Sequence, residues 1–431
     1  MKNSKNYLIP LACIGIMFFM VGFALGLNGY LIPLLKSSLN VSGGASYLIL
    51  FVTFSTFLIF GYPAGSIIKK IGYKKTMSLA FFIFTAAFLL FVIPAKLANA
   101  NMTTLEDGTQ VVANTVKIKC LVLFLIASFI SGLGNTILQA AINPYITILG
   151  PIESAAKRIS IMGICNKLAY PAVILALAAL IGKSISDANV SDIITPFYVI
   201  AVIFFVLGIL VLKAPLEEIT ATGEAEGEEA DCPYAQGKTS IWQFPHLIWG
   251  AVTLFLYVGV ETLALQTPVD MANTLGLSHP EIFSLLPSIG MVIGYIVGIL
   301  FIPKHLSQAN ALKICSWIGV IGSLAAFIAP SHLSVYFLFT MALACSLMWP
   351  AIWPLAMTDL GKFTKKGAAL LVVTIFGGAV IPFIFGLLKD LFEKSAGFAP
   401  ELAIKYAFTI ALPCFLVILW YGYTGHKIRT K

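Results

Sequence analysis

The sequence predicts an all-α membrane protein with twelve transmembrane helices in two six-helix halves. Hydrophobic residues make up 59% of the 431 residues and charged residues only 11%, with a mean hydropathy of +0.94. A soluble domain carries roughly 25% charged residues. Apolar stretches of about 20 residues, long enough to cross a bilayer, recur along the chain. One acidic stretch without apolar periodicity separates them into two sets of six.

Each helix is placed on an apolar window bounded by polar residues. The first six windows lie near residues 7–35, 46–68, 75–95, 119–147, 157–182 and 193–212. The second six lie near residues 243–270, 281–302, 309–329, 333–358, 366–389 and 402–424. The first window follows two lysines but is too long for the cleavable apolar region of a signal peptide, so we expect it to be retained. The polar stretch 97–116 is expected to be an external loop.

The acidic stretch predicts the domain organisation. Residues 214–240 carry acids among Gly, Ala and Thr and are expected to form a flexible cytoplasmic linker. Residues 1–213 are then the N-terminal six-helix bundle, and residues 241–431 are the C-terminal one. The acidic residues of the linker are Glu217, Glu218, Glu224, Glu226, Glu228, Glu229 and Asp231.

The basic residues predict the orientation. Most of the 27 Lys and Arg residues fall in loops on the side of the two termini, which the positive-inside rule makes cytoplasmic. The net charge of +8 therefore reflects membrane topology, and no nucleic-acid partner is expected. The basic residues that decide the side include Lys69, Lys70, Lys74, Lys75, Lys157, Arg158, Lys365 and Lys366.

Two charged residues, Lys167 and Glu261, lie well inside predicted helices, and no other embedded acid is expected. A charge at mid-membrane costs roughly 2.5 to 3.5 kcal/mol on insertion scales, so it normally faces a cavity or a partner. One interpretation is a structural ion pair that locks one conformation. The other assigns both residues to coupling or gating, with Glu261 binding and releasing a proton.

Five amide side chains in apolar helices are candidates for substrate binding. An amide offers donors and acceptors suited to sugar hydroxyls, although each could instead bond a neighbouring helix, a contact averaging about 0.6 kcal/mol. Trp349 and Trp353, spaced i and i+4, share a helix face and either pack structurally or offer an apolar platform to a pyranose ring. The five amides are Asn28, Gln139, Asn143, Asn166 and Gln266.

Helix breakers recur in the first, fourth, seventh and tenth predicted helices, which occupy equivalent positions in the two halves. Backbone groups freed by a breaker must meet protein or water, because lipid offers them no partner. We therefore expect these four helices to line a polar cavity, as in duplicated transporter folds. The breakers include Gly26, Pro33, Gly132, Gly134, Pro144, Gly259, Pro268, Pro350 and Pro354.

Enzyme chemistry is not predicted. The chain contains no G-x-S-x-G, H-E-x-x-H or Walker motif, and its five histidines fall near helix ends or loops. Seven cysteines without a C-x-x-C pair indicate neither disulfides nor a metal site. We expect no catalytic residue, no cofactor and no bound metal.

Six segments resemble the major facilitator superfamily, and within it the fucose/glucose/galactose permease family. Residues 65–75 (GSIIKKIGYKK) are similar to the superfamily's G-x-x-x-D-R-x-G-R-R signature, with lysines for arginines and no aspartate. The other five segments are GLNGYLIP (26–33), QAAINPYITILGP (139–151), LYVGVET (256–262), WPAIWPLAMTDLG (349–361) and IFGGAVIPFIFG (375–386).

The resemblance implies the major facilitator fold, a central monosaccharide site and alternating access by rocking of two bundles. Fucose permeases carry acids at the positions of Gly29 and Gln139, so their coupling route is not available here. Gln139 and Glu261 resemble the glucose/galactose members, and Asn166 matches a position that lines the sugar site. Lys167 departs from the fucose-permease pattern and could stand in for a coupling cation or permit uncoupled transport.

These observations predict a sugar symporter of the bacterial inner membrane. Its expected partners are a neutral monosaccharide, such as glucose, galactose or fucose, a coupling ion (H⁺ or Na⁺) and membrane lipid. We expect it to work as a monomer. An uncoupled sugar facilitator, a non-transporting sugar sensor and a drug or lipid efflux antiporter remain as alternatives.

Overall fold

The computed structural model describes residues 8–104, 110–149, 155–216, 233–302 and 306–429. The helices before the linker are α1 (Leu8–Ser38), α2 (Gly43–Ile71), α3 (Tyr73–Asn99), α4 (Asn114–Ile148), α5 (Ala155–Ile181) and α6 (Ile194–Lys213). Those after it are α7 (Pro245–Gln266), α8 (Pro268–Thr274), α9 (Leu285–Phe301), α10 (Gln308–Ile328), α11 (Ser331–Ser334), α12 (Phe337–Cys345), α13 (Met348–Met357), α14 (Thr364–Val373), α15 (Gly377–Asp390), α16 (Pro400–Ala407) and α17 (Ala411–Tyr423).

Twelve helical spans in the described part of the chain are long and apolar enough to cross a membrane, and they fall on the twelve predicted windows. Three of them contain more than one α-helix. The tenth span, Ser331–Met357, contains α11 to α13; the eleventh, Lys366–Ser395, contains α14 and α15; and the twelfth, Pro400–Lys427, contains α16 and α17. The prediction of an all-α membrane protein with twelve transmembrane helices is confirmed.

The polar stretch between α3 and α4 is more regular than a loop. Strands β1 (Met102–Thr104) and β2 (Gln110–Val112) pair antiparallel, with Met102 opposite Val112. The structure thus adds a short hairpin to the predicted external loop. Three residues are too few to show the alternation by which a strand is recognised in a sequence.

Helix breakers act differently in the two halves. Pro33 lies inside a continuous α1, and α4 continues through Asn143. In the second half, α7 ends at Gln266 and α8 begins at Pro268, which has no N–H to continue the hydrogen-bond ladder. The tenth span is interrupted between α12 and α13. The first and fourth spans are therefore continuous at Pro33 and Asn143, and the polar cavity lined by the four helices stays a prediction.

Two compact units follow from the packing. The first contains Met1–Val41 and Ile59–Ala221, and in it α1 packs on α4 and α5, while α3 packs on α4 and α6. A Cβ on Gly22 of α1 would overlap the carbonyl oxygen of Asn166, so glycine permits the close approach of α1 to α5. Apolar side chains of α6, such as Val202 and Leu210, are more than half exposed, as expected for a surface in contact with lipid.

The second unit contains Ser42–Leu58 and Thr222–Lys431, so it includes the first part of α2. Its central helix is α7, which packs on α13, α15 and α17. A Cβ on Gly377 would overlap the carbonyl oxygen of Phe255, which shows how closely α15 approaches α7.

All seven acidic residues of the expected linker lie in residues 217–232, outside the described residues. The chain is described again from Pro233. Ser240 and Gln243 then form a capping box just before α7. The predicted bundle boundaries at residues 213 and 241 stay predictions.

Candidate functional site

Glu261 lies on α7 and is oriented by a residue one turn earlier. The Tyr257 hydroxyl donates a hydrogen bond of 2.8 Å to Glu261 Oε1. The spacing of four residues puts both side chains on one helix face. Tyr257 is buried, whereas Glu261 is half-buried. The carboxylate is therefore held in one orientation and keeps an accessible surface.

An aromatic row continues from Tyr257. Its ring lies 6.4 Å from the ring of Trp349, measured between centroids. Trp349 and Trp353 of α13 stack on each other at 5.3 Å with an interplanar angle of 26°. Both tryptophans are half-buried, so the stack is not closed off by the core. The second unit therefore places a carboxylate, a phenol and two indoles in one continuous group.

The first unit carries an amide pair on α4. The Gln139 amide nitrogen donates to Asn135 Oδ1 at 3.1 Å, and the Asn135 amide donates in turn to the Val21 carbonyl of α1 at 3.4 Å. Asn135 is buried, and Gln139 is half-buried. Asn135 thus orients Gln139 much as Tyr257 orients Glu261.

Two more amides lie at the contacts of α1. The Asn166 side chain of α5 donates to the Phe18 carbonyl at 3.0 Å, so part of its hydrogen-bonding capacity is used by the fold. Asn28 is only 3% exposed. Its amide nitrogen has no hydrogen-bond partner among the residues that the structure describes. A buried donor of this kind costs about 1 to 3 kcal/mol unless a ligand or water satisfies it.

Lys167 is only 8% exposed. Its ammonium lies 5.4 Å from the centre of the Tyr170 ring, three residues further along α5. A cation over an aromatic face is attracted by the ring quadrupole, an interaction that strengthens when both groups are desolvated. The role of Lys167 in coupling or gating stays a prediction.

Asn143 and Gln266 are the two remaining residues predicted to bind substrate. Asn143, one turn after Gln139, is exposed. Gln266 is fully buried at the end of α7. It follows Glu261 by five residues, which rotates it about 140° around the helix. The structure therefore does not join Gln266 to the carboxylate and the tryptophans, and its role in substrate binding stays a prediction.

Two site residues were missed in the sequence. Tyr257 and Asn135 each precede a predicted site residue by four positions, and that spacing was the available signal. Tyrosine and asparagine also occur in the packing of ordinary membrane helices, so the spacing alone did not single them out.

Besides Lys167, the described residues include other buried charges. Lys389 Nζ lies 2.9 Å from Asp270 Oδ2, and these side chains are 0% and 1% exposed. Both residues fall at the ends of predicted helices, where a charge normally reaches water. Arg158 is also buried, in the first turn of α5.

Comparison with known proteins gives the family. The sequence matches the Major Facilitator Superfamily over residues 14–385. The chain belongs to this superfamily. It is 30% identical to a glucose/galactose transporter of Brucella abortus (strain 9-941), over 99% of this chain and 96% of that protein. It is 23% identical to an L-fucose-proton symporter of Escherichia coli K12, over 96% and 93% of the two chains.

A solved structure shows the same fold. The crystal structure of the major facilitator transporter FucP in the outward conformation aligns with a TM-score of 0.65, covering 97% of this chain and 99% of that one at 21% identity. The predicted major facilitator fold is thereby confirmed, and so is the prediction of an integral membrane protein. The relatives are named as transporters, and the chain is accordingly not an enzyme.

Proposed function

We propose that the chain is a secondary-active monosaccharide transporter that carries a hexose or deoxyhexose by alternating access and is coupled to protons. The names of the glucose/galactose and fucose-proton relatives support the class of substrate. The observation that carries the proposal is the oriented carboxylate of Glu261 beside the stacked tryptophans. This group combines an apolar platform with a titratable acceptor.

Indole rings and amide side chains together suit a neutral sugar. The flat face of an indole packs against the C–H face of a pyranose ring, while amides bond its hydroxyls. The amide nitrogen of Asn28 can donate a hydrogen bond to a sugar hydroxyl, and Gln139 is oriented by Asn135. We propose Asn28, Gln139, Asn143, Asn166, Gln266, Trp349 and Trp353 as sugar-binding residues. A sugar phosphate would favour a bidentate arginine, but Arg158 donates to the backbone of Ile146.

Coupling is assigned to Glu261. Gly29 and Gln139 stand where the fucose permeases carry acids, and neither can bind a proton. Glu261 is half-buried and bonded by a neutral phenol, so its carboxylate is accessible to a proton and to a sugar hydroxyl. Lys167 is assigned to coupling or gating, as a cation whose position changes during the cycle. Protons are preferred to Na⁺ because one relative is named a proton symporter.

The cellular setting is part of the same proposal. We place the chain in the bacterial inner membrane with both termini in the cytoplasm, because the basic loops lie on the side of the termini. It works as a monomer surrounded by lipid, in contact with exposed apolar side chains such as those of α6.

Counterflow in proteoliposomes tests the proposed function. Liposomes loaded with unlabelled glucose, galactose or fucose are diluted into traces of the labelled sugar. A transporter accumulates label transiently for the sugars that it carries, whereas a sugar sensor binds without exchange. Counterflow with none of these sugars would overturn the proposal.

An uncoupled sugar facilitator is the second candidate. The buried ammonium of Lys167 favours it, because a cation built into the protein at this depth could replace a coupling cation that arrives and leaves. A facilitator exchanges sugar in counterflow but does not respond to a proton gradient. The two candidates therefore separate in experiments that impose a gradient.

Replacing Trp353 by alanine should raise the KM for sugar about tenfold with little change in maximal rate. The loss of one aromatic face is worth about 0.5 to 1.5 kcal/mol beyond the buried area, and 1.4 kcal/mol corresponds to a factor of ten. Initial rates of uptake measure it. Trp249→Ala is the matched control, because Trp249 packs edge-on against Trp420 at 4.9 Å, away from the Tyr257 group. Equal KM values for both variants would remove Trp353 from the site.

A further inference from the structure

Five aromatic and basic residues of the second unit lie at the ends of three spans that are nearest the chain termini. Lys313 and Trp317 belong to the first half of α10, and Trp420 and Tyr423 belong to the end of α17. Trp249 lies in the second turn of α7. Because each span crosses the membrane once, these three helix ends share one face. We call the five residues the interfacial patch.

The aromatic rings of the interfacial patch are in contact and exposed. Trp317 Nε1 donates to the Tyr423 hydroxyl oxygen at 3.3 Å, and Trp249 packs edge-on against Trp420 with centroids 4.9 Å apart. All four residues are between 39% and 47% exposed. Tryptophan and tyrosine collect at the depth of lipid headgroups, because each combines an apolar ring with a polar N–H or O–H group. We therefore expect this surface to contact lipid headgroups.

The Lys313 side chain is held in place by packing. A Cβ on Gly422 of α17 would lie 3.4 Å from Cγ of Lys313, so the stem of the lysine packs against α17. Its ammonium lies 4.9 Å from the centre of the Tyr423 ring and donates to Asn310 Oδ1 at 3.2 Å. An ammonium has three N–H donors. Two of them, and the Tyr423 O–H, have no partner among the residues that the structure describes.

The surroundings of Lys313 are positively charged. The charges of Lys313, Lys427 and Arg429 all act on the ring of His426, so these cations are clustered. Arg429 Nη2 pairs with Asp359 Oδ2 at 3.1 Å. Within the described ranges, neither Lys313 nor Lys427 pairs with an acidic residue. Clustered basic residues at the membrane surface attract anionic lipid headgroups.

An apolar stripe continues from the interfacial patch along α10. Ile314, Ile321, Leu324 and Ile328 are 40% to 77% exposed, and their spacing of three, four and seven residues places them on one helix face. Exposed apolar side chains on a membrane-spanning helix contact acyl chains. A basic end followed by an apolar stripe matches the headgroup and the acyl chains of one phospholipid, whereas a free phosphate would leave the stripe without a ligand.

We propose that the interfacial patch binds an anionic phospholipid, whose phosphate accepts hydrogen bonds from Lys313 Nζ and the Tyr423 hydroxyl. The exposed indoles pack beside the glycerol region, and the acyl chains lie along the stripe of α10. A zwitterionic lipid has the same phosphate, but Lys313 and Lys427 repel the cation of its headgroup. The inference depends on insertion into a membrane and is independent of the proposed sugar transport.

Native mass spectrometry of the purified full chain tests the site by counting the lipids that each molecule retains. The probes are phosphatidylglycerol and phosphatidylcholine with identical acyl chains. The unaltered chain should bind the first phosphatidylglycerol about tenfold more tightly than the first phosphatidylcholine. Lys313→Gln keeps most of the packed stem but removes the charge, and it should weaken the binding of phosphatidylglycerol about tenfold, the effect of losing one charge-assisted hydrogen bond. Lys313→Arg should retain most of the affinity.

Lys96→Gln is the matched control. Lys96 Nζ lies 5.3 Å from the centre of the exposed Tyr198 ring, the same type of contact on the opposite membrane face. This variant should leave the affinity for phosphatidylglycerol unchanged. Equal losses in the two glutamine variants would overturn the proposal, and so would equal affinity of the unaltered chain for the two lipids.

A competition experiment separates a lipid from a free anion. Inorganic phosphate in excess should leave the bound phosphatidylglycerol in place, because it cannot occupy the apolar stripe. Displacement of the lipid by inorganic phosphate would show that the patch recognises phosphate alone and would overturn the choice of a lipid. No sugar enters these measurements, so their failure leaves the proposed function standing, and failure of sugar counterflow leaves the lipid site standing. The comparison of the two lipids on the unaltered chain decides the proposal even if a variant does not fold.

Discussion

Replacing Glu261 by glutamine should abolish proton-driven accumulation of sugar while sugar exchange persists. An amide keeps the size of the side chain and can still accept the hydrogen bond from Tyr257, but it cannot bind a proton. We expect sugar-driven proton uptake to fall by about 100-fold, the lower range for loss of a proton-transferring group. Counterflow, which needs only sugar binding and the conformational change, should remain within about threefold.

A pH-sensitive dye inside proteoliposomes measures the proton uptake. Tyr257→Phe is the matched variant, because it removes the hydrogen bond to Glu261 but leaves the carboxylate. It should keep coupling with a moderate loss of rate. Full proton uptake by Glu261→Gln would contradict the assignment and direct attention to Asp270, the buried carboxylate found beside Lys389.

The largest effect on stability should come from replacing Lys389 by alanine. This change leaves the Asp270 carboxylate fully buried without its ammonium partner. Breaking a buried ion pair by removing one partner costs about 3 to 5 kcal/mol, because the remaining charge is uncompensated. Unfolding in detergent micelles, followed by heat or denaturant, measures the loss relative to the unaltered chain.

Two further variants test whether the uncompensated charge of Asp270 causes this loss of stability. Combining Asp270→Asn with Lys389→Met removes both charges and should recover most of the loss, because no uncompensated charge stays buried. Lys183→Ala breaks an ion pair with Asp192 in which Lys183 is 46% exposed, and it should cost about 0 to 1 kcal/mol. Equal losses of stability for Lys389→Ala and Lys183→Ala would show that the buried ion pair contributes no more than the exposed one.

The number and position of the spans were predictable because they depend on local composition and length. Helices α1 and α6 were recognisable from their own residues alone. A helix in lipid makes its backbone hydrogen bonds within itself, so a long apolar stretch is sufficient to predict it. The breaks were less predictable. Pro33 and Pro268 look alike in the sequence, yet only the second lies where one helix ends and another begins. Packing around each proline decides whether the helix continues.

The buried charges show where the sequence stops being informative. Lys167 and Glu261 stand out because apolar residues surround them on both sides in the chain. Asp270 and Lys389 lie at helix ends, where water is the default partner, and their burial depends on residues more than a hundred positions apart. The contacts that α2 makes with Asp270 and Asp390 likewise depend on tertiary packing.

The sequence predicted which types of residue form the candidate site, but only part of how these residues contact one another. Helical spacing correctly paired Trp349 with Trp353, because both lie on one helix. It did not show that Tyr257 connects Glu261 to that pair, since this contact joins two helices. Gln266 was grouped with the other amides because of its side-chain chemistry, and its rotation about the helix axis places it on a different face from Glu261.

Sugar accumulation under an imposed proton gradient distinguishes proton-coupled transport from uncoupled transport. Proteoliposomes with an acidic exterior receive labelled glucose, galactose or fucose, with and without a protonophore. Secondary-active transport predicts that one of these sugars accumulates above its external concentration and that the protonophore abolishes this accumulation. Sugar that only equilibrates, at the same rate with and without the gradient, would contradict the account and leave an uncoupled facilitator.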